Sequence, residues 1–239
     1  MKEFSNDQIL ALREIERSRV KKGLPGFHDD IQALIARYKD GAKVLKSSDP
    51  RLIQAKVLWD KGFGRELGFK TFKSYLATIP MIPVSLLADD PNLPLLRLVD
   101  PRLGIAKACK LFGIKFEELG YSDADAVICD ARHETPTEPF WVRAHDGRKN
   151  RSRRPDVCRD ECKDKIFVMT AMVAIMTWVQ DPSIIKQGEH VLDCPGSVPR
   201  SARGSCAFLR VWVGEVKLDL LRIAGGAFPH YGAGAFRRE

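Results

Sequence analysis

Apolar positions in the first third of the chain recur at helical spacing. Ile9, Leu12 and Ile15 follow a Ser5–Gln8 pair that reads as a capping box. Ile31, Leu34, Ile35 and Tyr38 repeat the period after the break at Gly23-Leu24-Pro25-Gly26. Asp49-Pro50 predicts the start of a third helix that runs to about Asp60, because a carboxylate acceptor precedes a proline whose missing N–H costs nothing in the first turn. Residues 71–78 predict a short fourth helix, stopped by Pro80 and Pro83. Four prolines between residues 80 and 94 then mark a boundary. It separates a helical N-terminal region, 1–85, from a second region, 86–239.

Beyond the prolines the pattern changes to short apolar runs. Residues 95–100 read as a buried strand, and Asp100-Pro101 repeats the cap signal for a helix through about Phe112. Residues 126–130, 139–147 and 190–194 read as further strands. Pro155 predicts one long helix ending at Asp181-Pro182, with Cys158, Cys162, Ile166, Met169, Val173 and Met176 on a single face. Residues 206–213 and 215–223 predict a hairpin about Gly214, and the glycine-rich end, 224–239, predicts a docked coil. The expected class is α+β: a helical N-terminal region, then a small mixed or antiparallel sheet packed on a long buried helix.

Composition narrows the class without choosing a function. Charged residues make up 29 % and hydrophobic ones 44 % of the 239 residues, which excludes a disordered chain. The start is polar and carries no secretory signal. The most apolar run, 166–179, falls short of the roughly 20 residues a bilayer span needs. Six cysteines then read as reduced, small hydrophobes, so a cytoplasmic protein without a membrane partner is expected.

The position of the charge says more than its total of +8. Residues 143–154 hold six basic side chains and one acidic, and residues 200–239 hold seven basic and three acidic. Arg143, Arg148, Lys149, Arg151, Arg153 and Arg154 are the side-chain set a phosphate backbone requires, with Trp141 placed to stack on a base. The leading expectation is therefore non-enzymatic binding of a polyanion, RNA or DNA, through this loop and the basic tail, with no cofactor. It requires the cations after the strand to face outward together. The competing expectation pairs them with the acidic 76–140 segment, or docks them on an acidic protein partner.

Four other constellations carry candidate chemistry. Asp193 with Glu215-Val216-Lys217 resembles the Asp…Glu-x-Lys nuclease pattern, which implies a magnesium-dependent phosphodiesterase. Gly214-Glu215 reads equally well as a hairpin turn. Cys158, Cys162, His190 and Cys194 could hold zinc, although their spacing is not that of a Cys-x2-Cys knuckle. Cys194, at a strand-to-loop junction, could be a nucleophile or a small buried residue. His145-Asp146-Gly147 could be an acid/base pair, but reads better as a turn in which glycine supplies positive φ. No Walker loop, dinucleotide fingerprint, EF-hand or His-Glu-x-x-His motif occurs.

Three stretches, 66–83 (ELGFKTFKSYLATIPMIP), 145–155 (HDGRKNRSRRP) and a C-terminal Trp…Leu… pattern that ends in FPHYGAGAFRR at 228–238, resemble an uncharacterised family of bacterial proteins. They cover about a quarter of the chain, and none is a catalytic signature. The resemblance implies a bacterial cytosolic protein and transfers no site residue. It also places Glu215 in a hairpin loop, against the nuclease pattern.

Overall fold

In the computed structural model, the described residues are 49–116, 127–129, 134–163, 165–199, 202 and 204–239. The helices expected around residues 9–15 and 31–38 lie outside them. Helix α1 spans Pro50–Asp60, with proline in its first turn as the sequence predicts. A short helix α2, Phe63–Glu66, follows a left-handed Gly62. Helix α3, Phe72–Ala77, is capped reciprocally: the Thr71 side chain accepts from the Ser74 N–H while Ser74 bonds back. Helix α4 is a single turn, Val84–Leu87.

Strand β1, Leu95–Val99, matches the predicted buried strand. Helix α5 begins at Gly104 rather than at the Asp100-Pro101 signal, and ends at Phe112. The Asp100 carboxylate does not cap it. Fully buried, it accepts from Arg102 Nε at 2.8 Å and Nη2 at 2.6 Å, and from the Tyr75 hydroxyl at 3.1 Å.

The remaining elements are β2 (Lys115–Phe116), β3 (Val127–Cys129), β4 (Phe140–His145), α6 (Pro155–Glu161), β5 (Ile166–Val168), α7 (Ala171–Gln180), β6 (Val191–Cys194), β7 (Ser197–Pro199), β8 (Ser205–Trp212), β9 (Glu215–Ile223), β10 (Tyr231–Ala233) and β11 (Ala235–Arg237). One sheet runs β1-β4-β11-β5, a second β10-β6-β8-β9-β2, and β3 pairs with β7. Pairing is antiparallel except at β10–β6 and β2–β9. The class is α+β.

Two expectations give way here. The long helix over 155–181 is two helices separated by strand β5, so Cys158, Cys162 and Ile166 do not share a helix face with Met169, Val173 and Met176. Thr170 restarts the helix, its side chain accepting from the Val173 N–H at 3.3 Å. The run 166–179 is apolar on every side, so periodicity could not show that a strand occupies its first turn.

The second concerns the C-terminal coil, which is instead strands β10 and β11, one in each large sheet. Its glycines allow this. A Cβ on Gly232 would meet the Gly147 carbonyl oxygen at 2.2 Å, so the two backbones pack closer than any side chain permits.

Helix α7 is the centre of the fold, with eight of its ten residues buried. The core around it joins Ala55 and Leu58 of α1 to Leu98, Val142, Leu209, Leu218 and Phe236 of the sheets. Residues 50–239 form one compact unit, so the proline-rich stretch is not a break in packing. Arg143 shows why, donating from inside the core to the carbonyls of Leu86 (2.9 Å), Leu87 (3.2 Å) and Pro94 (3.2 Å). Among the described residues no helix is long and apolar enough to cross a membrane.

Candidate anion-binding site

The basic segment leaves β4, turns at Gly147 (φ +84°) and passes through a 3-10 turn, Arg148–Asn150, into α6. Glycine in the left-handed region is what the His-Asp-Gly turn reading requires. The turn is pinned at both ends. Asn150 Nδ2 donates to the Ala233 carbonyl at 2.8 Å, and the His190 ring bridges from Asp146 O (Nε2, 2.7 Å) to Arg151 Nε (Nδ1, 3.3 Å).

The cations do not form one continuous outward face. Arg148 pairs with Asp146, Arg153 with Glu161, and Arg154 with Asp156 at 2.6 Å. Arg151 Nη2 donates to the Glu189 carbonyl at 2.9 Å, and Lys149 Nζ to the Asn92 carbonyl at 3.0 Å. Arg143 is 4 % exposed and faces no solvent. Trp141 is buried, its indole N–H donating to the Pro80 carbonyl at 2.9 Å, so it cannot stack on a base. In the tail, Arg237 lies 3.5 Å from Asp90, and Arg238 sits over the Phe167 ring at 4.9 Å. Among the described residues these carboxylates come from neighbouring positions, from α6, and from Asp89 and Asp90 of the acidic 76–140 segment.

What the loop builds instead is a cavity of about 340 Å3. Three cations line it, Lys149, Arg153 and Lys163, with one carboxylate, Glu161. His145 and Ala235, directly opposed on β4 and β11, line it together with Ile166, with Cys158 of α6 and with Cys162 at the C-terminal cap of α6. Asn150 Oδ1 accepts from Arg153 Nη1 at 3.3 Å, and both Glu161 oxygens accept from Arg153 Nη2, so the guanidinium is held from two sides. Burial first, then the Lys149 charge, pushes His145 down to about 4, and the ring is neutral at pH 7. Its Nδ1 accepts the Gly147 N–H at 3.0 Å, which leaves the proton on Nε2. Burial raises the Cys158 thiol, so it is not poised as a thiolate.

The other constellations do not assemble. Asp193 lies buried in β6, in register with Phe208 and, across β8, with Asp219. Glu215 sits at the hairpin turn, four residues further along β9 and two strands across, roughly 13 Å by 10 Å away. It pairs there with Lys115 at 2.6 Å. Lys217 faces Arg210 across the hairpin. No shared magnesium site follows from these positions, and the nuclease set is corrected to a buried acid and a turn residue. Asp193 is held by Arg222 Nε at 3.2 Å, and burial pushes its carboxyl up to about 7.

The zinc set is also dispersed. Both His190 ring nitrogens are engaged, Cys194 is fully buried in β6, and no metal-ready group of three or more His, Cys, Asp or Glu occurs among the described residues. Cys194 is not an activated nucleophile, since burial holds its thiol well above the usual range. Sequence reasoning did not single out Lys163, Glu161 or Asn150 as one site. Asn150 ends the 3-10 turn, Glu161 ends α6 and Lys163 lies two residues beyond it, and folding brings all three to one cavity with Ala235 of β11. No family model, curated protein or solved structure matches this chain.

Proposed function

We propose that the chain is a non-enzymatic binder of a polyanion, the RNA or DNA backbone, which it engages at the cavity of the basic loop. The observation that carries this reading is the convergence of Lys149, Arg153 and Lys163 on one concavity against a single carboxylate. The continuous outward face that the sequence reading required is absent, and the reading narrows to this cavity and to the weakness of its ion pairs. Their side chains are well exposed, 39 % for Arg153 and 54 % for Glu161, and such pairs contribute about 0–1 kcal/mol. A phosphate group can therefore replace the internal carboxylate at small cost.

Binding of a labelled single-stranded oligonucleotide, followed by anisotropy as salt is raised, tests the reading. Three cations on a single strand give a slope of about −2 in log K against log salt, whereas an open strip of six gives about −4. Replacing Lys149 and Lys163 together by Ala should weaken binding and flatten the slope. A salt-independent affinity, or one that survives the double substitution, overturns the proposal. Competition by polyglutamate as strong as by oligonucleotide would move the reading to an acidic protein partner.

A further inference from the structure

We infer that the cavity recognises a terminal phosphate monoester, with Glu161 as its built-in competitor for Arg153. This rests on the reading of the cavity as an anion site. Its lining carries three cations and one carboxylate, a balance of +2. A phosphate monoester carries about −1.5 to −2 at pH 7 and presents three acceptor oxygens. An internal phosphodiester carries a single charge, and its chain must leave in two directions.

No Phe, Tyr or Trp side chain lines the cavity, so the broad stacking platforms that hold bases are missing from its lining and recognition centres on the phosphate. The neutral His145 ring keeps its proton on Nε2, a hydrogen-bond donor that adds no charge. Asn150, fixed on the Ala233 carbonyl, holds one end of the Arg153 guanidinium in place. The other end meets the two Glu161 oxygens as it would meet two phosphate oxygens. Glu161 is the last residue of the seven-residue α6. Moving its side chain aside disturbs no further turn of helix.

A 5′-phosphorylated strand and a small phosphorylated molecule share this chemistry, and three probes separate them. The full chain is titrated with inorganic phosphate, with a 5′-phosphorylated oligothymidylate and with the same strand ending in a 5′-hydroxyl. The expected result is binding of the 5′-phosphorylated strand at least about tenfold tighter than of the 5′-hydroxyl strand, with inorganic phosphate competing. Glu161→Gln should tighten phosphate binding about fivefold, by removing one like charge at contact distance.

Equal binding of both strands, lost equally in the Lys149→Ala, Lys163→Ala variant, overturns the end-recognition inference and leaves the polyanion reading standing. Binding of inorganic phosphate alone supports a small phosphorylated ligand and removes the nucleic-acid reading. Binding of no probe removes both. An unchanged phosphate affinity in Glu161→Gln, with the circular dichroism of the parent chain, overturns the competitor role.

Discussion

His145 Nδ1 accepts the backbone N–H of Gly147 at 3.0 Å, so the turn that starts the basic loop is stabilised by a histidine in its neutral form. A second proton must go to Nδ1, where it would face another donor. The folded-state value of about 4 lies below the unfolded value of 6.5. The stabilisation is therefore complete above pH 6.5 and is lost as pH falls toward 4. His190, also shifted down by burial, loses stability in the same direction. Urea midpoints should fall between pH 7 and pH 5 by an amount equivalent to roughly 2 kcal/mol for His145. Equal midpoints at the two values would contradict this account.

Arg143, first read as a phosphate contact, is a structural cation. It donates to three carbonyls and to Asp89 at 3.1 Å, and it ties β4 to the proline-rich stretch. Arg143→Ala leaves those buried carbonyls without donors and should cost about 3–5 kcal/mol. Arg143→Lys cannot reproduce the fork and should also be destabilised. Oligonucleotide affinity per folded molecule should stay the same, which separates this residue from Lys149 and Lys163.

Gly147 and Gly188 both have positive φ, yet they predict different costs on substitution. Around Gly188 (φ +74°) nothing lies within 4 Å of an added Cβ, and Gly188→Ala should cost about 1–2 kcal/mol of backbone strain. At Gly147 the same methyl would sit 2.2 Å from the Gly232 carbonyl oxygen. Gly147→Ala must push β10 away from the loop and should give a far lower thermal midpoint or no folded protein. Similar melting temperatures for the two variants would refute the close approach.

The buried Asp193–Arg222 pair gives the opposite pH response. Burial raises the Asp193 carboxyl from 3.8 to about 7, against the pull of Arg222. A raised folded value means that its contribution is fully present below pH 3.8 and lost as pH rises through 7. Asp193→Asn, which keeps an acceptor but cannot ionise, should gain on the parent chain between pH 5 and pH 8, by at most about 1.4 kcal/mol per pH unit. A stability difference that does not change with pH would show the carboxylate to be ionised throughout.

Much of the fold was legible locally. The Asp49-Pro50 start, the short helix within 71–78 and the hairpin about Gly214 each depend on interactions within a few residues, and each appears where the pattern places it. The region from 155 to 181 failed for the converse reason. A run buried on all sides has no polar stripe to report its period, so helix and strand look alike. The strands at 231–233 and 235–237 were hidden by glycines, which propensity assigns to coil and which here serve the contact between Gly147 and Gly232.

The chain by itself determined the α+β class, the existence of most elements and the concentration of positive charge in residues 143–154, because these follow from local periodicity and from counting. Tertiary structure decided what the charge does. Coulomb interaction and hydrogen bonding depend on distance through space, and only folding sets Glu161 against Arg153, Arg143 on the Leu86 carbonyl and Lys163 at the same cavity as Lys149. The site is a property of that juxtaposition rather than of any one segment.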